Sequence, residues 1–429
     1  MNGAEPPVGF LQNFCDLTPD NVLNRLTRQT IVDAAFYLKD IIRPTPFLEM
    51  AWLNHKIQGN AFLKLENMQL TGSFKTRGIY IKLLSLSQEE KQRGIITISS
   101  GNHALGVAYH AQTMGIKATI VMPESTPFSK VESIRPYGAS VILHGKNMME
   151  AKDFCLQLIK KHHYTLIHPF NDPYIIAGQG TVGLEMLTEV PNLDVLVIPI
   201  GGGGLAAGIC IAAKAINPNL HIIGVQSEVC AATAEILFPN TLPSEPCYLN
   251  KTLAEGIAIE FPGELNLAIL SEHLDDCLVV PEKYIQSAIQ SLINYSKLVA
   301  EGAGAIGVAG LMYASHLFQN KRVGTIVTGG NIDARVLSTV LSQNYKDHGC
   351  FIRCQIETED SPSILGQLSH VIGKAGGHIF ELSQQKLLHK VPARMTFIKA
   401  VIETQNSEHA HYVFQALVSS GFMAQILEE

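Results

Sequence analysis

A chain of 429 residues exceeds one ordinary domain of about 100 to 200 residues, so two or three folding units are expected. Its composition, with 46% hydrophobic and 16% charged residues, fits a soluble α/β enzyme better than a disordered or fibrous protein. The net charge of −6, with basic runs no longer than a pair, disfavours a nucleic-acid partner.

The cysteines and the first residues indicate a cytoplasmic location. The eight cysteines contain no CxxC pair, so neither a zinc site nor a disulfide framework is predicted. No basic residue precedes an apolar run at the start of the chain, as a secretory signal would require. The uncharged stretch 195–213 is long enough to suggest a membrane span, but Pro199 and four glycines would break a spanning helix. A buried strand, a loop and a helix are predicted there instead.

In chain order, the first distinctive segment is Ser73-Phe74-Lys75-Thr76-Arg77-Gly78. Lys75 follows an aromatic residue and lies between Gly72 and Gly78, where an amine for Schiff-base chemistry could be held. An isolated lysine is more often an ordinary solvated side chain, so the interpretation depends on what else the chain contains.

Short β-rich runs alternate with helical patterns from about residue 60 to 345. The predicted strands are 95–98, 118–122, 141–143, 165–167, 195–200, 221–226 and 324–328, with helices over about 104–114 and 205–216. This alternation is typical of parallel sheets built from βαβ units. In such sheets ligands bind where the carboxyl ends of the strands meet.

Two loops that follow predicted strands are candidate binding loops. Ser99-Ser100-Gly101-Asn102-His103 follows the strand 95–98 and, taken alone, is a turn before the next helix. Gly201-Gly202-Gly203-Gly204-Leu205 joins the strand 195–200 to the helix 205–216. Unpaired amides at a helix N-terminus attract anions, and glycines let the backbone approach them closely. The glycine loop is therefore predicted to bind a phosphate.

A dinucleotide is one ligand that could carry that phosphate. The pattern Gly202-x-Gly204-x-x-Ala207 also satisfies the dinucleotide fingerprint, and Glu228 follows the next predicted strand, where it would bind a ribose. A nicotinamide-binding protein is thus a rival interpretation. It gives Lys75 and Asn102 no role.

The last 80 or so residues have a different pattern and predict a separate small domain. The elements expected are a strand over 350–357, a helix after Asp360-Ser361-Pro362, strands over 378–386 and 395–403, a second helix that ends at Gly421, and a strand over 422–427. The order β, α, β, β, α, β is ferredoxin-like. Residues 344–349 are predicted to form the linker.

Taken together, the motifs resemble the fold-type II pyridoxal-phosphate enzymes and, within them, the threonine dehydratases with a C-terminal ACT domain. The resemblance runs from about residue 25 and is carried by six segments: 73–78, 99–104, 201–205, 253–258, 301–305 and 328–331. It implies an α/β, two-subdomain catalytic domain over 1–345, similar to the tryptophan synthase beta chain, with its small subdomain at about 69–169. A βαββαβ ACT regulatory domain over 346–429 would follow.

The resemblance also implies a role for each motif. Lys75 would hold pyridoxal 5'-phosphate as a Schiff base and then remove the substrate's α-proton, while Phe74 packs on the cofactor ring. Asn102 would bind the cofactor's 3'-oxygen, and Thr328 would meet the pyridine nitrogen. The cofactor phosphate would lie on Gly201, Gly202, Gly203, Gly204 and Leu205. The substrate carboxylate would lie on Ser99, Ser100, Gly101, Asn102 and His103, with no separate role assigned to Ser100.

The reaction implied is β-elimination of L-threonine to 2-oxobutanoate and ammonia, and of L-serine to pyruvate. A serine racemase or serine dehydratase on the same scaffold is the alternative. A divalent metal is not expected, because the stretch after Glu228 lacks the second acid of the racemase site; a monovalent cation remains open. The family resemblance also implies a homodimer or homotetramer.

The resemblance to ACT domains implies an effector site. Feedback by isoleucine or valine through residues 350–429 is the expectation, as in other amino-acid sensors. Ser363 stands where many ACT domains have glycine after Asp-x-Pro, which would weaken binding. The other interpretation is that this domain only builds an oligomer interface.

Overall fold

The structure, a computed structural model, describes residues 9–12, 14, 19–242, 251–347, 350–385 and 394–427. The chain forms two compact units, Met1–Asp333 and Ala334–Glu429. The sequence placed the boundary after residue 345, whereas by its contacts the helix Ala334–Asp347 belongs to the second unit.

A six-stranded sheet forms the centre of the first unit, in the order β1-β2-β10-β7-β8-β9. Its strands are β1 (Phe47–Glu49), β2 (Asn60–Leu65), β7 (Val195–Pro199), β8 (His221–Ser227), β9 (Asp276–Val280) and β10 (Arg322–Val327). Only the pairing of β1 with β2 is antiparallel. The parallel strands are largely buried and mostly apolar, as expected of strands covered on both faces.

A second sheet of the first unit is parallel throughout, in the order β5-β4-β3-β6. Its strands are β3 (Ile95–Ile98), β4 (Ala118–Met122), β5 (Ser140–Leu143) and β6 (Thr165–Leu166). All four strands fall inside the range 69–169 predicted for the small subdomain. Together the two sheets confirm the predicted α/β class with parallel twisted sheets.

Helices pack around these sheets. They are α1 (Pro19–Arg25), α2 (Arg28–Leu38), α3 (Ala51–Ile57), α4 (Lys75–Ser85), α5 (Gln88–Arg93), α6 (Asn102–Thr113), α7 (Phe128–Ile134), α8 (Met148–His162), α9 (Pro173–Glu189), α10 (Gly204–Ile216), α11 (Ala232–Leu237), α12 (Glu264–His273), α13 (Glu282–Ser296) and α14 (Gly302–Tyr313). Helices α9 and α10 cross at glycines: a Cβ on Gly208 would lie 2.3 Å from the Ile176 carbonyl oxygen. Such a close crossing requires residues without side chains.

The second unit contains α15 (Ala334–Asp347) and an antiparallel sheet in the order β12-β13-β11-β14. The strands are β11 (Phe351–Glu359), β12 (His378–Gln385), β13 (Met395–Glu403) and β14 (Met423–Ile426), with α16 (Ile364–Lys374) after β11 and α17 (Ser407–Ser419) after β13. Apolar residues of α16 and α17, among them Leu368, Ile372 and Val413, pack with the buried side chains of β11 and β13. The predicted βαββαβ order is confirmed.

One sequence prediction needs correction. The predicted linker 344–349 is helical as far as Asp347, because no proline or glycine interrupts α15 before Gly349; residues 348–349 lie outside the described part. The stretch 195–213 forms β7, the glycine loop and most of α10, as predicted. Within the described residues, no helix is both long enough and apolar enough to span a bilayer.

Candidate active site

Three neighbouring parallel strands deliver the candidate residues to one edge of the six-stranded sheet. Strand β10 lies between β2 and β7. Thr328 follows β10, the glycine loop follows β7, and the segment that leads to Lys75 follows β2. Ser73 pairs with Gly329 as an isolated bridge, and the Phe74 N–H donates to the Thr328 carbonyl oxygen at 3.2 Å. The segments therefore converge at the carboxyl ends of the strands, as expected for this fold.

Lys75 is the first residue of α4, and its side chain is half-buried. Its Nζ donates to the Pro169 carbonyl oxygen at 2.8 Å and lies 5.2 Å from the centroid of the Phe74 ring. Burial lowers the pKa of Lys75 to about 8, against the opposing charge of Glu301. Near neutral pH a useful fraction of this amine is uncharged and can act as a nucleophile or base.

The glycine loop is fully buried and has no room for side chains. A Cβ on Gly202 would lie 2.2 Å from the Phe170 ring, and Gly203 adopts a φ of +92°. Within the described part of the chain, the N–H groups of residues 202–206 donate to no acceptor. Buried N–H groups need a partner, and these five stand at the start of α10, where an anion is favoured.

Thr328 precedes Gly329 in the chain, and the Asn102 carboxamide lies close to Gly329. The Thr328 hydroxyl donates to the Ala303 carbonyl oxygen at 3.0 Å. A Cβ on Gly329 would lie 3.0 Å from the Asn102 Nδ2 and 2.3 Å from the Glu301 Oε1. The Asn102 Nδ2 itself donates to that Glu301 oxygen at 2.5 Å. Burial raises the pKa of Glu301 to about 7, although the Asn102 hydrogen bond and the Lys130 and Lys75 charges oppose it.

The loop Ser99–His103 divides into an accessible part and a buried part. Ser99 and Ser100 are half-buried, Gly101 is exposed, and a Cβ on Gly101 would touch nothing within 4 Å. His103 instead points inward, is 3% exposed, and its Nε2 lies 3.0 Å from the Ile167 carbonyl oxygen. Burial lowers the pKa of His103 to about 3, so the ring is neutral at physiological pH. Of the predicted substrate loop, His103 is the residue that does not line its open surface.

The Pro169–Phe170 segment contacts both Lys75 and the glycine loop, and the sequence analysis missed it. Its Pro169 carbonyl accepts from Lys75, while Phe170 packs against Gly202 and Gly204. The segment follows β6 and precedes Asp172, which caps α9 through hydrogen bonds to two backbone N–H groups. The signal available was its position: a His-Pro-Phe run directly after a predicted parallel strand.

The arrangement defines a class of protein: an α/β enzyme with a half-buried lysine of lowered pKa beside a buried phosphate loop, as an aldehyde cofactor with a phosphate group requires. The family model of the pyridoxal-phosphate dependent enzymes matches residues 38–329. The chain belongs to this family, and its fold is that of the fold-type II members.

Similar proteins are known by sequence and by structure. The L-threonine ammonia-lyase of Thermotoga maritima is 36% identical over 402 residues, which is 94% of this chain and 100% of that protein. The processed threonine deaminase isoform 2 of Solanum lycopersicum matches with a TM-score of 0.68 and 32% identity, over 73% of this chain and 92% of that one. Maize serine racemase matches with a TM-score of 0.68 and 31% identity, over 75% and 98%.

Membership of the family overturns the dinucleotide interpretation. Glu228, which that interpretation assigns to a ribose, instead accepts a hydrogen bond from the Glu282 N–H at 3.0 Å. The residues present fit pyridoxal phosphate: an amine in Lys75, glycine-loop N–H groups that donate to no acceptor among the described residues, and a hydroxyl and a carboxamide in Thr328 and Asn102. Among the described residues, no group of three His, Cys, Asp or Glu side chains is placed to hold a metal.

Proposed function

We propose that this protein is a threonine ammonia-lyase, which converts L-threonine to 2-oxobutanoate and ammonia and also accepts L-serine. The observation that carries the proposal is the match to a protein named L-threonine ammonia-lyase across its whole length, second unit included. The geometry around Lys75 supports it, because β-elimination needs an amine that is uncharged near neutral pH.

Each residue of the site has a task in this proposal. When bound, pyridoxal phosphate supplies an electron-withdrawing ring that stabilises negative charge on the substrate's α-carbon. Lys75 would leave the Pro169 carbonyl to hold the cofactor, and once the substrate amine has displaced it, its free ε-amine would take the α-proton. Ser99, Ser100 and Gly101 orient the substrate carboxylate. The buried His103 supports this loop through the contact of its Nε2 with the Ile167 carbonyl oxygen. The β-hydroxyl leaves as water, taking up one proton for the one removed from the α-carbon, and the released enamine becomes an imine that water hydrolyses to the oxo acid and ammonia.

The assay that tests the proposal measures oxo-acid and ammonia release from L-threonine and L-serine in parallel, with pyridoxal phosphate present. Faster turnover of threonine, without D-serine among the serine products, is the expected result. D-serine as the main product would establish the serine racemase that the maize structure makes the second candidate. The threonine methyl group is worth about 1 to 3 kcal/mol in a pocket, so both substrates should react.

Gly202→Ala is expected to lower the affinity for pyridoxal phosphate by about tenfold or more. The new Cβ would lie 2.2 Å from the Phe170 ring, so the loop must move and its N–H groups lose their alignment. Titration of the cofactor-free protein, followed by visible absorbance, measures the change. Gly366→Ala in α16, where a Cβ meets nothing within 4 Å, is the matched control and should bind as the natural protein does. Equal affinity of the two variants would contradict the assignment of the phosphate.

The second unit is proposed to bind isoleucine or valine and to change the kinetics of the first. Its βαββαβ order supports this, whereas Ser363, which precedes α16 and accepts a hydrogen bond from Gln367 Nε2 at 3.2 Å, is expected to weaken the binding. Calorimetry should show heat with isoleucine or valine, and threonine kinetics should shift by a coupling of about 1 to 3 kcal/mol. Absence of both heat and shift would favour a role in oligomer formation alone.

Three further expectations belong to the same proposal. The first is a homodimer or homotetramer, which the resemblance implies. The second is a cytoplasmic location, which the cysteine spacing indicates. A monovalent cation near Glu228 is the third. Replacing potassium by a bulky organic cation during the threonine assay tests the expected cation. An unchanged turnover would show that the reaction needs no monovalent cation.

A further inference from the structure

The Asn102 carboxamide is hydrogen-bonded on both sides by groups that differ in kind. Its Nδ2 donates to the Glu301 Oε1 at 2.5 Å, and its Oδ1 accepts from the Asn331 Nδ2 at 2.7 Å. A carboxamide has two orientations of nearly equal shape, with nitrogen and oxygen exchanged. An acceptor on one side and a donor on the other select one of them.

The donor side is itself fixed by the backbone. The Asn331 Nδ2 also donates to the Thr71 carbonyl oxygen at 2.8 Å. A carbonyl can only accept, so Asn331 must direct its nitrogen toward Thr71 and Asn102. Thr71 has a φ of 60° and Gly72 a φ of +72°. A β-branched residue in the left-handed region is an outlier, and such strain is retained where the surroundings demand it.

The acceptor side is also fixed. Glu301 precedes α14, and its N–H donates to the Gly329 carbonyl oxygen at 3.1 Å. Its Oε1 lies so close to Gly329 that a Cβ there would be only 2.3 Å away. This packing holds the Glu301 Oε1 beside the Asn102 carboxamide, where it accepts the hydrogen bond from Nδ2.

One N–H of Asn102 is left over. The carboxamide nitrogen carries two hydrogens, one of which is taken by Glu301. The other has no acceptor among the described residues. We propose that Glu301 and Asn331, with Thr71 behind Asn331, are positioning residues that keep this remaining N–H directed at the ring oxygen of pyridoxal phosphate. The inference rests on the role proposed for Asn102.

Asn331→Asp and Asn331→Ala in the full chain test the proposal. Aspartate keeps the shape but offers only acceptors, so it repels the Asn102 Oδ1 and favours the reversed carboxamide; alanine merely removes the donor. The cofactor dissociation constant, the visible absorbance of the bound cofactor across pH, and kcat and KM for threonine are measured. Asn331→Asp should weaken cofactor binding and lower kcat by about tenfold or more, and Asn331→Ala by less. A packing role predicts the reverse order.

An Asn102→Ala background shows whether the effect passes through Asn102. There, Asn331→Asp should add almost nothing, because coupled residues are non-additive. Asn67→Asp is the matched control: Asn67 lies against Gly330 and donates to the Val299 carbonyl, so it adds the same charge nearby without touching Asn102. Its cofactor absorbance should match that of the natural protein.

The outcomes separate the two claims. An unchanged absorbance and affinity in Asn102→Ala alone would remove the role of Asn102, and the positioning pair with it. If Asn102→Ala does have an effect, either of two results would overturn only the positioning role. One is an Asn331→Asp variant that behaves like the natural protein, and the other is an Asn331→Ala variant that is worse than Asn331→Asp. A loss from Asn331→Asp that persists undiminished in the Asn102→Ala background would do the same.

Discussion

Lys75→Ala is expected to abolish both turnover of threonine and the visible absorbance of protein-bound pyridoxal phosphate. The Lys75 Nζ is the amine that donates to the Pro169 carbonyl oxygen beside the glycine loop, and alanine has no amine to replace it. A general base alone contributes about 10²- to 10⁴-fold, and here the covalent attachment of the cofactor is lost as well. The fall in kcat should therefore reach at least about 10⁴-fold.

Lys56→Ala is the matched control for that result. Lys56 is exposed in the last turn of α3, so its removal should leave absorbance and kinetics unchanged. Retained activity in Lys75→Ala, or a yellow protein that borohydride still reduces, would remove the central role of Lys75.

The pH dependence of cofactor binding tests the pKa of Lys75. Only the uncharged amine attacks the cofactor aldehyde, so the capture rate rises with pH until Lys75 is deprotonated. Burial lowers its pKa from 10.5 to about 8, so the rate should reach half its maximum near pH 8 and level off at about pH 9. Stopped-flow mixing of cofactor-free protein with pyridoxal phosphate measures this. A rate that still climbs steeply above pH 9 would show an ordinary solvated lysine.

Local patterns in the sequence predicted strands that are rich in apolar and β-branched residues. Strands β3, β4 and β13 have the predicted bounds, because a run such as Ile95–Ile98 has no other favourable conformation in a buried sheet. Strand β2 was not predicted as a strand. Its Lys64 interrupts the apolar run, and it is buried only because the Thr45 carbonyl and two glutamates of α9, Glu185 and Glu189, surround its Nζ. No local pattern contains those partners.

The candidate site shows the same division. Lys75, Asn102, Thr328 and the glycine loop could be named because each belongs to a motif that is contiguous in sequence. The residues that set their environment could not: Glu301 lies 199 residues from Asn102, and Pro169 lies 94 residues from Lys75. Glu301 stood in a recognised segment, yet its bond to Asn102 depends on how the end of β10 meets the start of α6 and α14. The inward orientation of His103 could not be predicted, because the sequence does not show which way its ring points.

The helix that presents Lys75 is held by a buried ion network. Arg77, two residues further along α4, is fully buried, as is Glu66; its guanidinium donates to both Glu66 oxygens and to Glu185, and a further bond reaches Thr181. Burial disfavours the guanidinium charge, but Glu66 and then Glu185 outweigh it and raise the pKa of Arg77. The network ties the start of α4 to the end of β2 and to α9.

Arg77→Met is therefore expected to lower the free energy of unfolding of the first unit by about 3 to 5 kcal/mol, because it leaves Glu66 buried without its counter-charge. Trp52, the one tryptophan in the sequence, lies in this unit and reports its unfolding in urea. Arg93→Met is the matched control: its partner Glu89 is 80% exposed, so a change below about 0.5 kcal/mol is expected.

Adding Glu66→Leu to Arg77→Met should recover part of the lost stability, since an apolar pair avoids the cost of a buried lone charge. Activity should not recover with it. If Arg77 only stabilises the unit, the double variant regains both stability and kcat; if it also places Lys75, stability returns while kcat stays low. An Arg77→Met variant as stable as the natural protein would show that Glu66 finds another partner or takes up a proton, and the network would then have no part in holding α4.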